Sequence, residues 1–458
     1  MRTASLLAIC LLTACVPSPG ADVSMNQTKA FTASTANLSA QTNRFGMKTA
    51  PRPTRSNAEI ARDFLELTFM MESGRSLPAL TRFEGPVTVR TAGTVPPGAA
   101  TDLARLLQRF RNEAGINIRE VASGPASINI EFVSRSAIKS TYANVACFVV
   151  PRVASWAEFR AGRNTGTLDW ATLRQRDQVS VFIPADSSAQ EVRDCLHEET
   201  AQAMGPLNDL FRLTDSVFND DNFHTSLTGF DMTILRAYYA PELRSWMTQG
   251  EVAAKLPAIL ARINPAGNRG GKSEATPTPR FWINSIQLAL GQGGDAGRRE
   301  TAARQAVATA RAQGWTAGRL AFSYFALGRL TLARDPAAAL QAFNEAGRIY
   351  RGLPGGEIYA AHVDMQLAAY ALTQGQARNA LEITNRSMPM VAAAENAALM
   401  ATLMMVKAEA LEMLDRGDEA AATRIDSQGW ARYGFGSEAQ IRARAAEISA
   451  LARRGNKG

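Results

Sequence analysis

The sequence predicts an α/β (or α+β) domain on one small sheet, followed by an all-α solenoid. Three observations lead there. Between residues 57 and 265, stretches with helical spacing of apolar residues alternate with short β-like runs. Residues 266–277 then form a glycine-rich linker containing Gly267, Gly270 and Gly271. Over 278–455 the chain is alanine-rich without a convincing strand, and breaker-plus-polar marks recur about forty residues apart. With 458 residues there is room for two or three domains, and 46% hydrophobic against 20% charged residues excludes wholesale disorder. Past the first twenty residues no uncharged apolar run is long enough to span a bilayer, which excludes a polytopic membrane protein. The net charge of +8 comes from arginines scattered singly along helical segments, with no basic block or aromatic-basic groove, so nucleic acid is not an expected partner. Four cysteines and three histidines are too few for a disulfide scaffold or an array of zinc fingers.

Residues 1–14 read as a secretory signal peptide, with Arg2 as a short positive region and Leu6 to Leu12 as the apolar stretch. The ending Leu12-Thr13-Ala14-Cys15 resembles the bacterial lipobox. That resemblance implies cleavage before Cys15, acylation of its sulfur and amine, and anchorage to a membrane. Val16 rather than Asp after the cysteine favours the outer membrane, with the body facing the periplasm. The alternative is an ordinary signal peptide with an incidental cysteine. Residues 15–56, rich in Ser, Thr, Ala, Asn and Pro without periodicity, are expected as a flexible tether. Cys10 leaves with the signal, so in an oxidising compartment Cys147 and Cys195 are expected to pair. Two separate buried thiols are the alternative.

The domain at 57–265 opens with a helix over 57–71 (Ile60, Phe64, Leu67, Met70) and a strand at Val87 to Arg90. After the Pro96-Pro97-Gly98 turn comes a helix through Leu103, Leu106, Leu107 and Phe110, then β-like runs at 116–121, 128–133 and 179–184. Ser188-x-x-Glu191 is a capping box, and Gly205-Pro206 ends the helix it starts. Further helices are expected after 230. In the C-terminal part, Gly294-Asp295, Asp335-Pro336, Gly375-Gln376 and Gly417-Asp418 each precede an alanine-rich helix. Tyr324-x-x-x-Gly328, Asp335-Pro336 and Ala339 to Tyr350 resemble a tetratricopeptide unit. An irregular helical bundle is the competing architecture.

Chemistry is expected on the helix from Ala189 to Met204. Its apolar stripe runs through Val192, Leu196 and Ala203, and the intervening position is Glu199. A carboxylate on an inward face must be ion-paired or belong to a site. The spacing leaves both explanations open.

The segment Glu198-Glu199-Thr200-Ala201-Gln202-Ala203-Met204-Gly205-Pro206-Leu207-Asn208-Asp209 resembles the zincin metallopeptidase pattern H-E-x-x-H-x-x-G-x-x-H/D. More closely, Cys195 to Asp209, Ser216 to Asp220 and Asp231 to Tyr239 with Pro241 resemble uncharacterised proteobacterial lipoproteins carrying an E-E-x-x-Q-x-x-G-x-x-N-D signature. The resemblance covers about residues 57–265 and implies a degenerate zincin-like domain. It places Glu199 on the general base and Gly205 on the turning glycine. It places Glu198, Gln202 and Asn208 or Asp209 on the metal ligands. Both histidine ligand positions are replaced. Such an oxygen-rich set suits Ca²⁺ or Mn²⁺ better than Zn²⁺, so a divalent metal is the one cofactor the resemblance suggests. His197-Glu198 starts a second register, but Ala201 stands where its next histidine would be. His224 is expected as polar surface, and Ser216 and Asp231 either line the cleft or cap helices. No G-x-S-x-G, phosphate loop or dinucleotide fingerprint supports other chemistries.

The expectation is a cell-envelope lipoprotein that binds or scaffolds through a non-catalytic zincin-like domain, with its helical repeats receiving a protein or peptide partner. The alternative is a metal-dependent peptidase with Glu199 as general base.

Overall fold

The computed structural model describes residues 45, 49–143, 145–219, 221, 223–269, 276–291 and 295–455. The expected signal peptide, the lipidated Cys15, most of the tether and part of the glycine-rich linker lie outside them.

The N-terminal domain begins with helix α1 (Asn57–Phe69), whose N-terminus is closed by a Ser56/Glu59 capping box. Strand β1 (Val87–Gly93), helix α2 (Ala99–Ala114), strands β2 (Ile118–Glu120) and β3 (Ile128–Val133), and helix α3 (Arg135–Thr141) follow. Then come strand β4 (Phe148–Pro151), helix α4 (Trp156–Gly162), strand β5 (Val179–Pro184), and helices α5 (Ala189–Met204), α6 (Gly229–Tyr238) and α7 (Gln249–Ile263).

The five strands form one mixed sheet in the order β2-β1-β3-β5-β4. All pairs are parallel except β4, which runs antiparallel to β5 with Val149 opposite Val181. Strand β5 is buried at every residue because both of its faces are covered. Val179, Val181 and Ile183 face the main core shared with α1, α2 and α5–α7. Phe182 faces a second cluster with Phe159 and Val153, against which Phe148 and Trp156 pack.

From Arg280 the described residues are entirely helical: α8 (Arg280–Leu290), α9 (Ala296–Ala312), α10 (Gly318–Thr331), α11 (Pro336–Arg351), α12 (Glu357–Thr373), α13 (Ala377–Ala393), α14 (Ala397–Glu412), α15 (Gly417–Phe435) and α16 (Glu438–Gly455). Each packs on the next in chain order. Helices α9, α11, α13 and α15 start at Ala296, Pro336, Ala377 and Gly417, which is the forty-residue period read from the breakers. Asp295 and Asp335 are the N-caps of α9 and α11. Helix α16 departs from the series and folds back onto α12 and α14. No helix among the described residues is long and apolar enough to cross a membrane.

One boundary needs revision. The tether was expected to run to residue 56, but its last part lies on the folded body. The Ala50 amide donates to Glu113 at 3.3 Å, and the Arg55 guanidinium grips Asp215 at 2.8 and 2.9 Å while stacking over Phe230. Phe45 packs between Trp430, Tyr433 and the Arg193 guanidinium. The reason is that Arg55 is half-buried, and its charge is met by the carboxylates of Asp215 and Asp63.

The helical array does not stand apart from the N-terminal domain. Phe211 and Phe223, from the loop after α5, sit in the array's own core against Trp282, Phe322, Phe325 and Tyr359. Arg193 of α5 pairs with Glu395, and Tyr433 donates to Asp102 at 2.9 Å. One face of the array is therefore occupied by the N-terminal domain.

Candidate functional site

Helix α5 spans the residues expected from the sequence, with the Ser188/Glu191 capping box formed. It packs on β5, and beside it Cys147 at the start of β4 is disulfide-bonded to Cys195. That bond ties the edge of the sheet to α5, one turn before Glu198 and Glu199. Between them lies a cleft of about 950 Å³. Its lining includes Glu198, Glu199, Gln202 and Asp209, the segment Val145 to Val150, and Met71, Glu72 and Arg75.

Glu199 is only 6% exposed, and its Oε2 has no hydrogen-bond partner among the described residues. An orphaned buried acceptor of this kind costs on the order of 1–3 kcal/mol. Burial, then the nearby charges of Glu198 and Glu72, push its carboxyl well above the usual carboxylate range. The ion-pair alternative would need a buried arginine, and Arg176, the buried arginine bound to the end of α5, is committed elsewhere. Arg176 donates to the carbonyls of Gln202, Ala203 (2.7 Å) and Gly205, closing the C-terminus of α5, and lies over the Trp170 ring. The spacing of Glu199 thus led to the cleft and not to an ion pair.

Of the two residues considered for the third ligand position, Asp209 lines the cleft. Asn208 is buried, and its amide donates to the Glu66 carbonyl at 3.1 Å, so it belongs to the packing of the loop on α1. Among the described residues no three His, Cys, Asp or Glu side chains gather closely enough to hold a metal ion. Gln202 adds only a weak amide oxygen, so this donor set does not fit a resident zinc or a tightly held hard cation.

Gly205 is required by packing. A Cβ there would lie 2.8 Å from the ring of buried Tyr238. His197 is buried; its Nδ1 accepts from the Leu227 amide at 3.1 Å, and burial, then Arg109 and Arg193, keep it neutral far below the usual histidine range. His224 contacts the Thr214 carbonyl and Tyr359, outside the cleft. Ser216 donates to Asp231 at 2.5 Å, and Asp231 also accepts from the loop amide of Val217 and, in the α6 capping box, from the Thr228 amide, so this pair organises the loop.

Sequence reasoning missed the strand wall. Strand β4 pairs only with β5 among the described residues, and six successive residues from Val145 border the cleft, so its free edge runs along it. The Arg152 amide donates to the Gln178 carbonyl on the β5 side. By alternation, the backbone N–H and C=O of Val149 point to the free edge. Pro151 shares that outward parity, where a missing N–H breaks no ladder bond. The signal available was Phe148-Val149-Val150, short and closed by a proline.

A family model described as "Protein of unknown function (DUF2927)" matches residues 57–258, which is less than half of the chain. The match covers α1 through most of α7 and includes the cleft. No curated protein and no solved structure matches the chain.

Proposed function

We propose that this chain is a binding and scaffolding protein of the cell envelope, lipid-anchored through Cys15, whose zincin-like domain has lost metal chemistry and kept the cleft. In this role the cleft takes an extended peptide strand from a protein partner, added along the free edge of β4. The observation that carries it is a strand edge, unpaired among the described residues, bordering a cleft whose lining includes a buried carboxyl and, among those residues, no metal-ligand set. Backbone hydrogen bonds from β4 would supply affinity, and pockets beside it would supply selectivity. The tetratricopeptide-like array would hold the domain rigidly on its occupied face and offer its remaining surface to the same partner.

The test is binding of fluorescent extended peptides to the full chain, followed by anisotropy, beside Val149→Pro. Removing the outward N–H of Val149 should weaken binding about tenfold, the equivalent of one backbone hydrogen bond. An unchanged affinity in a folded variant would remove the strand-addition role. The metallopeptidase alternative has one observation in its favour, the position of Glu199 in the cleft. It predicts peptide cleavage that Glu199→Gln abolishes.

A further inference from the structure

The cleft is acidic although the chain as a whole carries +8. Its lining includes the carboxyl groups of Glu72, Asp169, Glu198, Glu199 and Asp209 against the guanidinium groups of Arg75 and Arg163. Arg75 is already bound to Asp169 in a two-pronged pair at 2.9 and 2.8 Å, so those two charges cancel. Glu72 is exposed, while Glu199 lies more than nine-tenths buried with Oε2 lacking a donor. Beside them Tyr142 is 41% exposed, packs edge-on against Phe148 at 5.1 Å, and lines the same cleft.

We infer that the strand bound along β4 is cationic, placing a lysine or arginine side chain in the cleft with its charged head toward Glu199 and its aliphatic stem against Tyr142. This inference rests on the strand-binding role proposed above. An orphaned acceptor in a cleft lined by further carboxyl groups calls for a donor, and one that brings positive charge would favour the ionised form of Glu199; among peptide side chains only lysine and arginine have both the reach and a permanent charge. Their methylene stems suit an aromatic wall, and the head can interact with an exposed ring face. An acidic strand would meet like charge from the exposed Glu72 onward.

The experiment compares three extended peptides of equal length on the full chain by anisotropy. They differ at a central position, holding lysine, the uncharged isostere norleucine, or glutamate. The lysine peptide should bind about tenfold more tightly than the norleucine peptide, and the glutamate peptide more weakly than both. Glu72→Gln and Glu199→Gln, checked for folding by circular dichroism, should each reduce the ratio of lysine-peptide to norleucine-peptide affinity. The preference should also shrink as salt is raised from about 0.05 to about 0.5 M. Equal binding of lysine and norleucine peptides would overturn the cationic inference and leave strand binding standing. Absence of binding by all three would overturn both.

Discussion

Replacing Glu199 by Gln should stabilise the protein, and by more as pH rises. Glu199 is buried on α5, its Oε2 lacks a donor, and burial followed by Glu198 and Glu72 raises its pKa well above the usual value. In the unfolded chain a glutamate titrates near about 4.3. Between that value and the higher folded one, the folded state holds a proton that the unfolded state has released. Stability therefore falls with rising pH across this window, by up to about 1.4 kcal/mol per pH unit, and is undiminished below about pH 4. Gln is isosteric and does not titrate, so the variant loses this slope. Asp102, Asp194 and Asp231 also have carboxyls raised by burial, so the wild-type curve alone mixes several groups. The difference between variant and wild type isolates Glu199. Urea denaturation followed by circular dichroism at pH 5, 6, 7 and 8 should give midpoints that diverge in favour of Glu199→Gln. A variant that is less stable than wild type at every pH, with no trend, would refute the reasoning, because it would mean an ionised and compensated carboxylate.

Other outcomes follow from neighbouring contacts. Replacing Cys147 and Cys195 together by alanine should cost about 3–4 kcal/mol for a loop of this length, and peptide affinity should drop in the still-folded variant because β4 is freed from α5; urea titration and anisotropy read the two effects. Gly205→Ala drives a methyl into the Tyr238 ring and should lower stability by roughly 1–3 kcal/mol in the same titration. Phe223→Ala removes a ring from the array core at its junction with the N-terminal domain and should cost about 3–5 kcal/mol, with hydrogen exchange rising first in α10 and α12. Arg176→Met leaves the α5 carbonyls of Gln202 and Ala203 without their donor and should be among the most damaging single changes, seen as loss of the soluble folded chain.

Helix α5 was legible to its end residues because a capping box, a regular stripe and Gly205 all point the same way. Strands β3 and β5 were equally legible as β-branched and aromatic runs. Strand β4 was not, since a four-residue edge strand held by one neighbour needs no long apolar run, and its proline reads as a breaker. The short helices α3 and α4 escaped for the same reason, each being only seven residues. Glu199 was recognisable as a carboxyl on an inward face, but only tertiary structure could show that Arg176 serves backbone carbonyls instead. The choice between Asn208 and Asp209 depends on which side chain the loop turns toward α1, which adjacent positions in a turn do not reveal. The insertion of Phe211 and Phe223 into the array is likewise a long-range pairing, with no local periodicity to announce it.

The central claim is that the cleft binds an extended strand without cleaving it. The most direct test incubates the full chain with the lysine peptide, with and without chelator and with added Ca²⁺, Mn²⁺ or Zn²⁺, reading binding by anisotropy and integrity by mass spectrometry. The account predicts binding that the chelator does not change and an intact peptide in every condition. Cleavage that depends on a metal and disappears in Glu199→Gln would contradict it.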